Sequence, residues 1–169
     1  MNSSDKEFGV NTEKKEKMIE DKQKKLEDFV NAIYQNLSTA LQSIDEILKL
    51  SKSEEFNRVL EKQKLAYTVI KNDLLDHCMA LSVKPKDNNI IEKARLWTSI
   101  KMTTISDKST RHLAEMMLIG TVMGTLTCYK DLCDYKDGDK GLYETLQRLN
   151  ILEETNFDDL KKFLKENKC

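Results

Sequence analysis

The chain has 169 residues, a formal net charge of -1, 34% charged and 39% hydrophobic residues, five Gly and one Pro. The near balance of charge excludes a global field that would draw it to nucleic acid or an anionic membrane, and the scarcity of Gly and Pro excludes a β-rich fold punctuated by turns. The expected fold is all-α, a single-domain bundle of about five to six helices around a central apolar helix at about residues 110–134, burying roughly 70% of the surface of the extended chain.

Residues 1–17 alternate Lys with Glu and carry only Phe8 and Val10 as isolated apolar positions. That is too little apolar surface to offset the entropy of ordering, so a disordered arm is expected there, with the bundle domain over residues 18–169. From Ile19 onward Leu26, Val30, Ile33, Leu37, Ala40, Ile44 and Ile47 recur at alternating steps of four and three, the signature of a helix with one apolar stripe. An unbroken helix over residues 19–50 would be about 48 Å long, against a diameter near 40 Å for a compact domain of this size. Its first turns therefore overhang, bend or meet a partner, and a homodimer through this 19–50 helix is one expectation.

Ser51 with Glu54 can form a capping box, so a second helix is expected to start there and to run through Phe56, Leu60, Tyr67, Ile70, Leu74 and Leu81 until Pro85 stops it. Asp87, Asn88 and Asn89 offer caps for a third helix bearing Ile90, Ile91, Ala94, Trp97 and Ile100. Ser106 or Ser109 can cap a fourth, which is apolar on every side through Met116, Met117, Leu118, Ile119, Val122, Met123 and Leu126. A helix apolar all round is expected to be surrounded by others. After a turn at Asp137 to Gly141, Leu142, Leu146 and Leu149 suggest a fifth helix, and Thr155 with Asp158 caps a sixth carrying Phe157, Leu160, Phe163 and Leu164.

The charge-free run from Met116 to Cys128 has thirteen residues, where a helix crossing a bilayer needs about 20. No membrane span is expected. The cysteines at 78, 128, 133 and 169 follow no N-terminal apolar leader, which points to a reducing, cytoplasmic location. The terminal Cys169 lies outside the spacing of a prenylation signal.

Chemistry has little to build on. The chain offers two histidines, His77 and His112, and no Glu-x-x-His pair, phosphate loop or nucleophile elbow. Asp73 and His77 share a helical face, but Cys78 beside them points about 100° away. Cys128 and Cys133, five apart, do not share a face or complete a zinc site. No catalytic residue, cofactor or metal is therefore expected. The lysines at 14, 15, 17, 22, 24 and 25 are interleaved with acids at 13, 16, 20, 21, 27 and 28, which opposes phosphate binding.

Gly120 and Gly124 form a Gly-x-x-x-Gly step that lets another backbone come close, and Met102, Met116, Met117 and Met123 cluster around it. Trp97 lies between Arg95 and Lys101, a pairing enriched where proteins meet. The expected function is a non-enzymatic interaction or regulatory protein that binds a protein partner through a helix face or groove, with Trp97, Met116, Gly120, Met123 and Gly124 as partner-binding residues. An alternative is a helical subunit that touches nucleic acid through the Lys-rich N-terminal region.

From Leu113 to Leu164 the order of an apolar helix, a charged turn and two short amphipathic helices resembles the C-terminal part of the poxviral Bcl-2-like immune modulators, where amphipathic helices wrap a buried central one. The resemblance implies a further alternative, a modulator of host signalling. The Asn-Trp-Gly-Arg motif of the cellular Bcl-2 proteins does not occur, and no residue role is carried over.

Overall fold

The structure, a computed structural model, describes residues 3–86 and 107–165, with side chains from residue 14 onward. Among the described residues are four α-helices and no strand: α1 (Ser3–Leu50), α2 (Glu54–Ala80), α3 (Thr110–Asp134) and α4 (Lys140–Leu160), closed by a 3-10 turn at Lys161–Lys165. The all-α expectation is met. The helix expected at residues 90–100, with Trp97, lies outside the described residues.

α1 has 48 residues, about 72 Å at 1.5 Å per residue. Helical backbone thus begins at Ser3 and runs through the stretch expected to form a disordered arm. Residues 14–25 are all exposed, and the first fully buried side chain is Phe29. Beyond it the predicted stripe does what its spacing requires. Val30, Ile33, Leu37, Ile44 and Ile47 are buried to within 1%. Because that stripe is covered within the chain, a homodimer through residues 19–50 lacks the apolar face it was expected to use; among the described side chains of α1 the exposed large apolar groups are Met18 and Ile19.

The chain reverses into α2 through three residues. The cap is Ser53 rather than Ser51: its Oγ accepts from the Phe56 N–H at 3.3 Å, while Ser51 Oγ accepts from the N–H of Ser53. Ser53→Ala is expected to cost about 1 kcal/mol, seen as a fall in the thermal midpoint of roughly 2–4 °C. Ser109 caps α3, accepting from the His112 N–H at 3.2 Å, and Asp139 caps α4, accepting from the Leu142 N–H at 3.0 Å.

α1 packs on α2 and α3, and α4 packs on α2 and α3, so the described helices form a ring in the order α1, α2, α4, α3. Neighbours run antiparallel. Phe29 near the middle of α1 stacks on Tyr135 at the end of α3, with ring centroids 4.3 Å apart, and Phe56 at the start of α2 meets Phe163 beyond α4 at 5.0 Å. Surface ion pairs follow the same seams, Lys64 to Asp45 between α1 and α2 and Arg148 to Asp73 between α2 and α4, both at 2.6 Å. Each is solvent-exposed and contributes little energy, up to about 1 kcal/mol.

Two expectations are corrected. No helix of the ring is surrounded by the others, so α3 is a member and not a centre. The C-terminal pair of short helices is one helix: Thr155 does not cap anything, since its hydroxyl donates to the carbonyl of Ile151 one turn back inside α4. Leu142, Leu146, Leu149, Glu153, Asn156 and Leu160 form one continuous buried stripe at steps of four and three, and that stripe keeps the helix whole. The buried central helix and the two short helices that carried the Bcl-2-like resemblance are thus both replaced.

Candidate functional site

α3 has two faces of opposite character, and each follows from its place in the ring. Among the described elements α3 packs on α1, on α4 and on the 3-10 turn that follows α4, and it buries the side that faces them. Leu113, Ala114, Met117, Thr121 and Cys128 fill that side. The sequence continues to place apolar residues on the other side, where the described chain supplies no neighbour. Ile119 is 67% exposed, Val122 41%, Met123 60%, Leu126 59% and Tyr129 52%. These positions follow one another at helical spacing along one face, whereas on α2 the exposed apolar groups are a single pair one turn apart, Leu65 and Val69, and Met79 alone, which is ordinary for a protein surface. The Tyr129 hydroxyl donates to Glu154 Oε1 at 2.8 Å, which ties this face to α4.

The residues singled out from the sequence divide between the two sides. Met123 and Gly120 look outward, and a Cβ added at Gly120 meets nothing within 4 Å. Met116 is half-buried and packs against the core. Gly124 looks inward: a Cβ there would stand 2.7 Å from Glu153 Oε1. The Gly-x-x-x-Gly step therefore does not act as a unit, because its two glycines serve different surfaces.

Behind Gly124 lies a polar cluster that reaches across all four helices. Glu153 of α4, 1% exposed, accepts a hydrogen bond from the Tyr67 hydroxyl of α2 at 2.9 Å. Asn36 of α1 donates through Nδ2 to the Gly124 carbonyl at 3.3 Å and reaches Cys128 Sγ at 3.4 Å. Burial pushes the Glu153 carboxyl up from 4.5 to about 7, opposed only in part by the Tyr67 hydroxyl. Burial and the nearby Glu153 push the Cys128 thiol up to about 12 and raise Tyr67 well above its ordinary value. A thiol so shifted is protonated and unreactive at neutral pH.

None of these cluster members except Cys128 and Gly124 stands out by residue type. The available signal was positional. Glu153 and Asn156 occupy the stripe of α4, and Gln63 and Tyr67 occupy the stripe of α2 between Leu60 and Ile70. Polar residues at stripe positions are buried with the stripe.

The Asp73, His77, Cys78 grouping is dispersed by its contacts. The Asp73 carboxylate takes Arg148, the His77 ring lies where a Cβ on Gly141 would meet it at 2.8 Å, and Cys78 is buried, with its thiol pushed up by that burial. Cys128 faces inward while Cys133 is exposed. Among the described residues no group of three or more His, Cys, Asp or Glu side chains could hold a metal ion, and no helix is long and apolar enough to cross a membrane. The lysines between residues 14 and 25 stand on the exposed, projecting half of α1 among their acidic neighbours. Comparison with family models, with curated proteins and with solved structures finds no match.

Proposed function

We propose that the protein is a non-enzymatic interaction or regulatory protein whose binding surface is the outward face of α3. The observation that carries this reading is the unbroken row from Ile119 to Tyr129, five large apolar side chains each at least 41% exposed on a helix that is otherwise well packed. Water contact with such a row is unfavourable at about 25 cal/mol per Å², and a docked partner removes it. Helical spacing of the row favours a helix as the docked element, since ridges at three- and four-residue steps mesh with the grooves of another helix.

Of the residues first singled out, Met123 lies within this surface and Gly120 at its edge; Met116 and Gly124 support it from the core side. The test uses the intact chain carrying Met123→Glu and Leu126→Glu together. Both positions are exposed, so the unfolding midpoint should stay close to wild type, while binding of the partner should weaken by about thirtyfold or more, corresponding to the loss of an interface anchor. Partner binding that survives both charges would remove the outward face of α3 from the reading.

A further inference from the structure

We propose that the helix seated on this face is α3 of a second copy of the chain, running antiparallel about a two-fold axis beside Val122 and Met123. The proposal rests on the reading of the face as a docking surface and names its occupant.

The argument is one of charge and order along the helix. Apolar residues occupy the middle of the outward face, and charged residues close it at both ends in a definite sequence. Arg111 and Glu115 stand at the N-terminal end, one turn apart and joined by an ion pair of 3.2 Å that leaves both side chains at least 44% exposed. Lys130 and Asp134, also one turn apart and exposed, stand at the C-terminal end.

Inversion about the point between Val122 and Met123 places residue 111 opposite 134 and residue 115 opposite 130. Glu115 then meets Lys130 of the second copy at both ends of the pair, since the two positions lie about 60° apart around the helix near the middle of the face. The same inversion sets Ile119 against Leu126. Four apolar layers are thus bracketed by two complementary charge contacts, and the oppositely directed helix dipoles add to the preference. A parallel pairing of the same faces would set Glu115 against Glu115 and Lys130 against Lys130, which repel. The face is complementary to itself in one orientation only.

Cys133 makes the orientation readable. It is exposed and lies about six turns of helix from Arg111. In the antiparallel pair the two Cys133 thiols are about 30 Å apart, whereas in a parallel pair they would be neighbours.

The experiment measures the mass of the purified full-length chain by light scattering at micromolar concentration, then cross-links it by mild oxidation. A mass of two 19.6 kDa chains is expected. With Cys133 and Cys169 replaced by Ser, Val122→Cys should form a disulfide-linked dimer; with only Cys169 replaced, Cys133 should not. Lys130→Glu should weaken the dimer by about tenfold or more, and Glu115→Lys added to it should recover most of that loss by restoring opposite charges across the axis.

Cross-linking through Cys133 in place of position 122 overturns the antiparallel pair, and so does a chain that remains monomeric. In the monomeric case the Met123→Glu, Leu126→Glu variant separates the two readings. Loss of binding to another protein by that variant leaves the face a docking surface with a different occupant, while unchanged binding overturns both.

Discussion

Gly124→Leu should lower the unfolding free energy by about 3 kcal/mol or more, while Gly120→Ala should raise it by about 0.5–1 kcal/mol, although the two glycines sit one helical turn apart. At Gly124 a Cβ alone would stand 2.7 Å from Glu153 Oε1 and 2.9 Å from its carboxyl carbon. The carboxyl is at the end of a flexible side chain, but it is 1% exposed and held by Tyr67 at 2.9 Å, so moving it breaks a buried hydrogen bond. That loss costs about 1–3 kcal/mol, and a leucine adds the strain of overpacking. At Gly120 the added methyl meets nothing within 4 Å, and the exchange reports only the better helix propensity of alanine. Urea unfolding of the two variants beside wild type checks both signs; a tolerated leucine at 124 would mean that Glu153 does not lie where the structure places it.

Glu153→Gln should make the protein more stable than wild type above neutral pH and should remove a decline in stability that wild type shows as pH rises. The folded-state value of the carboxyl is raised from 4.5 to about 7 by burial, so the folded chain holds this proton where the unfolded chain has released it. The stabilisation is fully present below pH 4.5 and is lost as pH rises through about 7. At 1.36 kcal/mol per unit the gap amounts to roughly 3 kcal/mol. Asp131, raised by burial and by Asp134, contributes in the same direction. The amide keeps an oxygen to accept from Tyr67 and carries no charge to desolvate. Unfolding free energies measured at about pH 5 and about pH 8 should therefore differ less in the variant, with the excess in wild type attributable to this one group. Equal pH dependence in the two chains would show Glu153 to be solvated in the folded state.

The two predictions concern one contact seen from its two sides. Gly124 is small because the Glu153 carboxyl occupies the space beside it, and the carboxyl keeps its proton well above the usual carboxylate range because the α3 backbone and the α1 and α2 side chains exclude water from it. A buried acid of this kind is expensive as an anion, and polar groups placed in a helical core are best attested as devices that fix which helices pair and in what register. Asn36, Tyr67, Cys128 and Glu153 come from four different helices, so the cluster forms only when all four are correctly assembled.

Much of the architecture is legible along the chain. The steps of four and three from Leu26 to Ile47 locate the buried side of α1, the bounds of α3 at about residues 110–134 match Thr110–Asp134, and Ser109, one of two caps offered there, is the one in contact, while Asp139, expected only in a turn, caps α4. Local signals were less decisive where they competed with a longer pattern. Thr155 and Asp158 satisfy the spacing of a cap, yet the stripe from Leu142 to Leu160 passes through them unbroken, and burial of that stripe outweighs the local alternative.

The sequence by itself determined the helical class, the stripes of α1, α2 and α4 and the identity of α3 as the most apolar helix, because each depends only on which residues recur at the helical period. Tertiary structure alone decided which side of α3 meets water and which meets Glu153. An amphipathic helix declares its inner face through its pattern, but a helix apolar on every side carries no such bias, and its orientation is set by the number and position of its neighbours. In a ring of four those neighbours are α1 and α4, which take Gly124 and Cys128 and leave Ile119, Met123 and Leu126 outside.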